Sequence, residues 1–344
     1  MRPMVIGARL VEVALALVAA VALGAAAVAA EEGAPRDGDR FVNYAGPRPR
    51  APATAMVPFL ARKVWTSLLG REGGARRVPY DPAALQENPS ITWIGHATFL
   101  VRMDGVTFLT DPMFSERASP VGFAGPKRHV PPGVPLDALP HVDFVTLSHD
   151  HYDHTDVASI RALAARGAKF VAGLGMGDLV RDAGGEVVEL DWWQSTTIGP
   201  VTIHAVPAQH FSGRSLVGED ARLWAGFVVV GPTRRFYHAG DTGYFDRFAE
   251  IGKRFGPIDL AAMPIGAYEP NAEIMRFVHV NPEEAVRAAR DVQATRVVGM
   301  HWGTFDLTDE PLDEPPKRFH AAAATAGYSP DQAWTLDVGE TRRW

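Results

Sequence analysis

Residues 147–154 read Leu147-Ser148-His149-Asp150-His151-Tyr152-Asp153-His154, and this stretch decides how the rest of the chain is read. Three histidines and two aspartates fall within six residues, directly after the apolar run Phe144 to Leu147. A helical pattern follows from about Asp156 to Arg166 and is stopped by Gly167. Core packing does not explain such density, because each imidazole needs hydrogen-bond partners and each carboxylate is costly to bury alone. A short loop leaving a strand can turn His149, His151, Asp153 and His154 toward one point, offering the nitrogen and oxygen donors that zinc prefers. Asp150 has no assigned role.

Working outward, three more donors sit just past apolar runs that read as buried strands. His210 follows Val201 to Val206, Asp241 follows Arg235 to Tyr237 in His-Ala-Gly-Asp-Thr-Gly, and His301 follows Arg296 to Met300. Taken singly, each is more often a turn residue or a hydrogen-bonded histidine. Together with the loop they make seven donors at the rim of one sheet system, where ligands of layered α/β folds collect. Further strands are expected at Ile91 to Val101 and Val106 to Thr110, flanking the hairpin signal Asp104-Gly105. Others are expected near Lys169 to Ala172, Val187 to Leu190, Trp224 to Val230 and Leu260 to Met263. A helix opens at Asn281-Pro282-Glu283-Glu284, with a good cap, proline at the first position and acids in the first turn. About ten strands with three or four helices predict a layered α/β protein.

The chain has 344 residues, 47% hydrophobic and 22% charged, which is globular composition. It contains no cysteine, so disulfides, thiolate ligands and a cysteine nucleophile are excluded. Net charge is 34 − 40 = −6 without a long basic tract, which argues against a nucleic-acid partner. Residues 1–30 carry Arg2 and Arg9, then an apolar run from Val13 to Ala30 with small residues at its exit, the pattern of a cleaved signal peptide. An uncleaved membrane anchor is the alternative. Residues 31–79 are expected to be an extension that includes a short amphipathic helix, with Leu60, Val64 and Leu68 one turn apart and Arg62 and Lys63 beside them. Such a helix either covers the sheet or makes peripheral membrane contact. Residues 80–344 form the main domain on this reading. Export without cysteine suits a bacterial periplasm.

The motif HDHYDH, with His210, Asp241 and His301 in order, resembles the metallo-β-lactamase superfamily. The segments WIGHATFLV, FLTDPMFSERASPVGFAGPKR, LSHDHYDH, PAQHFSGR, HAGDTGYF, IGAYEP, HVNPEEAVRA and MHWGTF are similar to those of its N-acylphosphatidylethanolamine-hydrolysing phospholipase D branch, over roughly residues 80–320. The resemblance implies a four-layer αββα sandwich, two mixed sheets packed face to face with helices outside. It implies one divalent ion held by His149, His151 and His210 and a second by Asp153, His154 and His301. Asp241 would bridge them. The two ions, zinc foremost, lie about 3.5–4 Å apart in such sites and supply a shared hydroxide that attacks phosphorus. Asp111 resembles the carboxylate that receives the free N–H of a metal-bound histidine, and His96 a buried histidine behind the metal ligands. His279 matches the histidine lying over the metals near the substrate phosphate, where it binds phosphate or protonates the leaving group. Tyr152 hydrogen-bonds the same phosphate or walls the pocket.

The implied activity is a zinc-dependent phosphodiesterase of phospholipase D type acting on N-acylphosphatidylethanolamine-like lipids. A metallohydrolase acting on a small soluble phosphodiester or lactone, and a non-catalytic metal-binding scaffold, are the alternatives. A lipid substrate requires an apolar groove beside the metals. Phe114, Phe123, Phe211, Trp192 and Trp193 are its candidate walls, and the segment between His210 and Trp224 its rim.

Overall fold

The computed structural model describes residues 33–49, 54, 58, 62–63, 73–214, 218–269 and 272–344. The expected signal peptide or anchor at 1–30 lies outside the described residues, as do Leu60, Val64 and Leu68 of the expected amphipathic helix. Among the described residues no helix is long and apolar enough to cross a membrane.

Alternating apolar residues build two seven-stranded mixed sheets. After a small hairpin of β1 (Arg36–Asp37) and β2 (Arg40–Phe41), the first sheet takes β3 (Ser90–Gly95), β4 (Thr98–Met103), β5 (Val106–Thr110), β6 (Phe144–Leu147), β7 (Lys169–Gly173) and β8 (Glu186–Leu190) in order. The second takes β9 (Ser195–Ile198), β10 (Val201–Val206), β11 (Gly226–Val230), β12 (Arg235–His238), β13 (Leu260–Pro264), β14 (Val297–Met300) and β15 (Ala333–Trp334). The last strand, β16 (Thr341–Arg343), returns to pair with β3. Each sheet starts as an antiparallel meander and ends in parallel pairs, from β5 onward in the first and from β12 onward in the second.

Strand parity sets the layers. On β4, Phe99, Val101 and Met103 point inward and join Val201, Ile203, Phe227 and Phe236 of the other sheet in one core, while Leu100 faces out. The Phe108 ring stacks on Phe144 at 4.7 Å and meets Phe236 across the sandwich at 5.7 Å. Outside the first sheet, α1 (Val157–Ala164) and α2 (Gly177–Asp182) bury Ile160, Leu163 and Val180 against Leu100, Leu109, Val145 and Leu147. Outside the second, α3 (Arg247–Phe255), α5 (Pro282–Asp291) and α6 (Glu314–Thr325) contribute Phe248, Ile251, Ala285, Ala289 and Phe319. A short α4 (Ala272–Val278) precedes α5. The four layers are those the resemblance implied.

One reading needs correction. The run Ile91 to Val101 is two strands, because Gly95 and His96 take φ of +124° and +55° and turn the chain at the sheet rim. Ala34–Trp344 forms one compact unit. Asp104 and Gly105 do turn between β4 and β5, both at positive φ. Asn281 caps α5 with Glu284 reciprocating, a full capping box. Strands β1, β2, β9, β15 and β16 and helices α2, α3, α4 and α6 were not anticipated; β1, β2, β15 and β16 are too short to show a period.

Phe108→Ala removes the ring that joins the two sheets. The substitution is expected to cost about 3–5 kcal/mol, measured as a lowered urea midpoint, with bound metal per folded molecule unchanged.

Candidate metal centre

Strands β3, β5, β6, β10, β12 and β14 all run in the direction that brings their C-terminal ends to one rim, and each delivers a polar side chain there. His96 follows β3, Asp111 follows β5, His149 to His154 follow β6, His210 follows β10, Asp241 follows β12 and His301 follows β14. Three of these, His96, Asp111 and His301, take left-handed backbone at φ of +55°, +36° and +63°. Non-glycine residues adopt that conformation at a cost of order 1–3 kcal/mol, which the packing around them must offset. Gly240, at φ +61°, lets the chain before Asp241 pass beside the metal loop, since a Cβ there would lie 2.7 Å from Ser148 Cβ.

Seven side chains converge. His151 Nδ1 lies 2.9 Å from His149 Nε2 and 3.3 Å from His210 Nε2. His154 Nε2 and His301 Nε2 lie 3.5 and 3.4 Å from Asp153 Oδ2. Asp241 Oδ2 joins the sets, at 3.2 Å from His154 Nε2, 3.1 Å from His301 Nε2, 3.9 Å from His149 Nε2 and 3.8 Å from His210 Nε2. With metal–ligand bonds of about 2.0–2.2 Å, donors in one coordination sphere stand about 2.9–4.2 Å apart, so the cluster is able to hold metal ions.

The surrounding hydrogen bonds fix which nitrogen points inward. Asp111, fully buried, accepts from Ser148 N–H at 2.7 Å, Ser148 Oγ at 2.6 Å and His154 Nδ1 at 2.8 Å. Because Ser148 Oγ donates to Asp111, it accepts from His149 Nδ1 at 2.9 Å. His210 Nδ1 donates to the Val278 carbonyl at 2.9 Å. In His149, His154 and His210, Nδ1 is therefore bonded outward and Nε2 faces the centre, the orientation of metal-ligating imidazoles. The donor set fits divalent cations.

Electrostatics agree. Burial drives His149, His151 and His210 below the usual imidazole range, with neighbouring imidazoles adding to the effect at His149 and His210. For His154 and His301 burial acts the same way, but the Asp241 and Asp153 carboxylates outweigh it and hold both above that range, His301 at about 9. Burial opposes charge on Asp153 and Asp241 too, and the adjacent histidines keep both well below the usual carboxylate range. Positive charge is thus most favoured where the two carboxylates meet.

The remaining candidates fall around this centre. His96 Nε2 lies 2.9 Å from Asp153 Oδ2, and burial followed by His301 pushes its pKa down to about 3, so a neutral imidazole donates to the carboxylate. His279 Nδ1 lies 3.8 Å from Asp241 Oδ2 and, though buried, has no hydrogen-bond partner among the described residues. Burial lowers the His279 pKa to about 4, which makes it neutral rather than cationic. Tyr152 donates its hydroxyl to the Arg214 carbonyl at 2.7 Å and lies under the Arg214 guanidinium, so it forms a wall. Of the aromatic candidates, Phe211 packs 4.4 Å from the His151 ring and Phe114 lies partly buried beside the core under α1. Trp192 and Trp193 are core residues and Phe123 is exposed, so neither tryptophan lines a groove.

Four participants escaped the sequence. Asp150 is buried and accepts from Gly213 N–H at 2.8 Å and from Arg222 Nη1 at 3.2 Å, while its carbonyl accepts from Arg214 Nη1 at 2.7 Å. It ties the metal loop to the segment after His210. Asn43 clasps His210 from both sides: its Nδ2 donates to the His210 carbonyl at 2.9 Å and its Oδ1 accepts the His210 N–H at 3.0 Å. His238 donates through Nε2 to the Ala97 carbonyl at 3.3 Å, beside Asp111. Ser148, adjacent to the motif, was the one with a readable signal; the others act across 60 or more residues.

A family profile described as "Beta-lactamase superfamily domain" matches residues 107–302, more than half of the chain. The chain belongs to the β-lactamase superfamily. It is 46% identical over 241 residues to an uncharacterized protein of Mycobacterium tuberculosis, covering 68% of this chain and 64% of that one. The chain thus spans a little under two thirds of that relative's length. It is 41% identical over 264 residues to N-acyl-phosphatidylethanolamine-hydrolyzing phospholipase D 1 of Caenorhabditis elegans, covering 72% of this chain and 74% of the relative. The crystal structure of isothiocyanate hydrolase from Delia radicum gut bacteria superposes with a TM-score of 0.59 at 23% identity, over 74% of this chain and 99% of that one, a likeness of fold.

His210→Ala and His301→Ala are each expected to lower metal bound to the purified protein, and Asp241→Asn to lower it further because Asp241 faces both donor sets, as read by elemental analysis. Asn43→Ala removes both hydrogen bonds that hold the His210 backbone. It is expected to weaken metal retention against a chelator about 10–100-fold, whereas an unchanged retention would reduce Asn43 to a packing residue.

Proposed function

We propose that this chain is a metal-dependent phosphodiesterase of phospholipase D type, hydrolysing N-acylphosphatidylethanolamine-like phospholipids with two divalent cations, zinc foremost. The observation that carries the reading is Asp241 Oδ2, placed 3.1–3.9 Å from the inward nitrogens of both histidine sets. A single-ion site would have no need of a carboxylate shared in this way. His149, His151 and His210 would hold one ion; Asp153, His154 and His301 the other. Bound there, such ions acidify water and neutralise phosphate charge. The relative at 41% identity carries the phospholipase D name, and the chain's acidic balance disfavours a nuclease.

The protein's own residues do the rest. Asp111 and Ser148 hold His154 and His149 in the ligating tautomer. His96 orients Asp153 by donating to Oδ2. His279 presents Nδ1 toward the centre with no competing partner among the described residues, so it is free to contact a phosphate oxygen or the leaving oxygen. Phe211, packed on His151, excludes water on one side. Export to the periplasm by residues 1–30 belongs to this reading, supported by the charge and apolar pattern of that segment.

A second reading, a small soluble phosphodiester or lactone as substrate, is favoured by one observation. The groove beside Tyr152, about 490 Å³, is lined by Ser115, Glu116, Arg117, Thr155 and Arg214 as well as by small apolar residues, a more polar wall than acyl chains require.

His279→Ala is expected to retain metal while lowering kcat about 10²–10⁴-fold on a chromogenic phosphodiester. Metal lost with activity would make His279 a ligand instead. Turnover of N-acylphosphatidylethanolamine that rises when the lipid forms micelles supports the lipid reading; turnover only of soluble phosphodiesters or lactones supports the second.

A further inference from the structure

Residues Ala118 to Pro126 (ASPVGFAGP) contain no charged side chain. Phe123 at their tip is 84% exposed and Val121 38%, and among the described residues Val188, on β8, is the one other exposed large hydrophobic. An isolated exposed apolar residue needs no explanation, but two on one uncharged loop do.

The base of the loop is closed by hydrogen bonds. Arg117 and Lys127 pair at its base as an antiparallel bridge, Ala118 N–H donates to the Pro126 carbonyl at 3.0 Å, and Arg128 N–H to the Glu116 carbonyl at 2.8 Å. Arg117 Nη1 crosses to the Gly125 carbonyl at 2.7 Å. Beneath, the buried Arg128 guanidinium donates to the carbonyls of Met113, Ser115 and Val130 and stacks over Phe305. A stem braced this way presents Phe123 to the exterior.

The loop borders a groove that reaches Tyr152 of the metal loop. Pro120, Val121 and Gly122 form one wall of the 490 Å³ groove, and Tyr152, from between the ligands His151 and Asp153, forms another. The opening of that groove and the exposed ring therefore share one edge of the molecule. Arg117 and Lys127 flank the apolar tip, against the single acid Glu116, which pairs with Lys127 at 2.8 Å on the exposed surface. Exposed pairs of that kind exchange readily for another anion.

We infer that the loop Ser119–Gly125 is an interfacial anchor that inserts Phe123 and Val121 into a phospholipid surface, with Arg117 and Lys127 against anionic headgroups, and so seats the mouth of the groove on the lipid. The inference deepens the proposed function, from which it takes the lipid substrate. A folded protein partner needs about 800 Å² on each side for a stable interface. One aromatic side chain contributes about 150–250 Å², too little for such a partner but enough for a headgroup layer, where an amphipathic edge flanked by cations is retained.

The absence of cysteine allows a direct test in the full chain. Phe123→Cys carrying a polarity-sensitive fluorophore is mixed with vesicles of phosphatidylcholine containing a minor fraction of phosphatidylglycerol, with labelled Val188→Cys as the control. A blue shift at position 123 and none at 188 is expected. The double variant Val121→Ser/Phe123→Ser is expected to lower vesicle partitioning about tenfold, the order that one buried aromatic side chain supplies, and Phe123→Ser alone, at a position outside the groove lining, to leave hydrolysis of a soluble phosphodiester unchanged. No shift at 123, or unchanged partitioning of the double variant, overturns the anchor. If lipid is hydrolysed while position 123 stays dark, the anchor falls and the proposed function stands. If position 123 shifts while no phosphodiester is hydrolysed, the anchor stands and the proposed function falls.

Discussion

Lone pairs from several imidazoles and two carboxylates cannot be held within about 4 Å of one another in a buried site unless a positive charge sits among them. That constraint organises this molecule. Two sheets stop at the same rim, six strand ends each deliver a donor or its support, and three non-glycine residues keep left-handed backbone to aim their side chains there. The arrangement is unfavourable by itself in every local respect. It is held by the large apolar core between the sheets and by outward hydrogen bonds from Nδ1 of His149, His154 and His210.

Support for the centre is distributed along the chain. Asp111 serves two histidines of the cluster, one directly and one through Ser148, so a single buried carboxylate orients two imidazoles. Asn43, far upstream, holds His210 by its backbone, and the same Asn43 Oδ1 accepts from Trp224 Nε1 at 3.0 Å. The N-terminal residues from Ala34 are therefore part of the hydrolase unit. Asp150, the one acid of the metal loop not aimed at the centre, instead fastens the loop to the chain after His210 through Gly213 and Arg222.

A groove of about 490 Å³ lies beside the metal loop. Tyr152 belongs to the metal loop and to the wall of the groove, and the groove's other wall is the braced loop whose tip exposes Phe123. Metal loop, groove and exposed loop tip are linked by short connections, with Arg128 and its carbonyl partners as the internal brace.

The sequence alone determined the layered α/β fold and the ligand candidates, because both rest on local pattern: apolar runs of strand length, a hairpin signal at Asp104-Gly105, a capping box at Asn281, and donors placed just past strand ends. It also pointed to Asp111 and His96, through the family resemblance rather than through that rule. Only the tertiary structure decided the break at His96, the clasp of Asn43 on His210, the fastening by Asp150, the neutral state of His279, and which aromatics face the core. Those depend on pairs far apart in the chain and on how completely water is excluded around them, and neither quantity is written in any local stretch of residues.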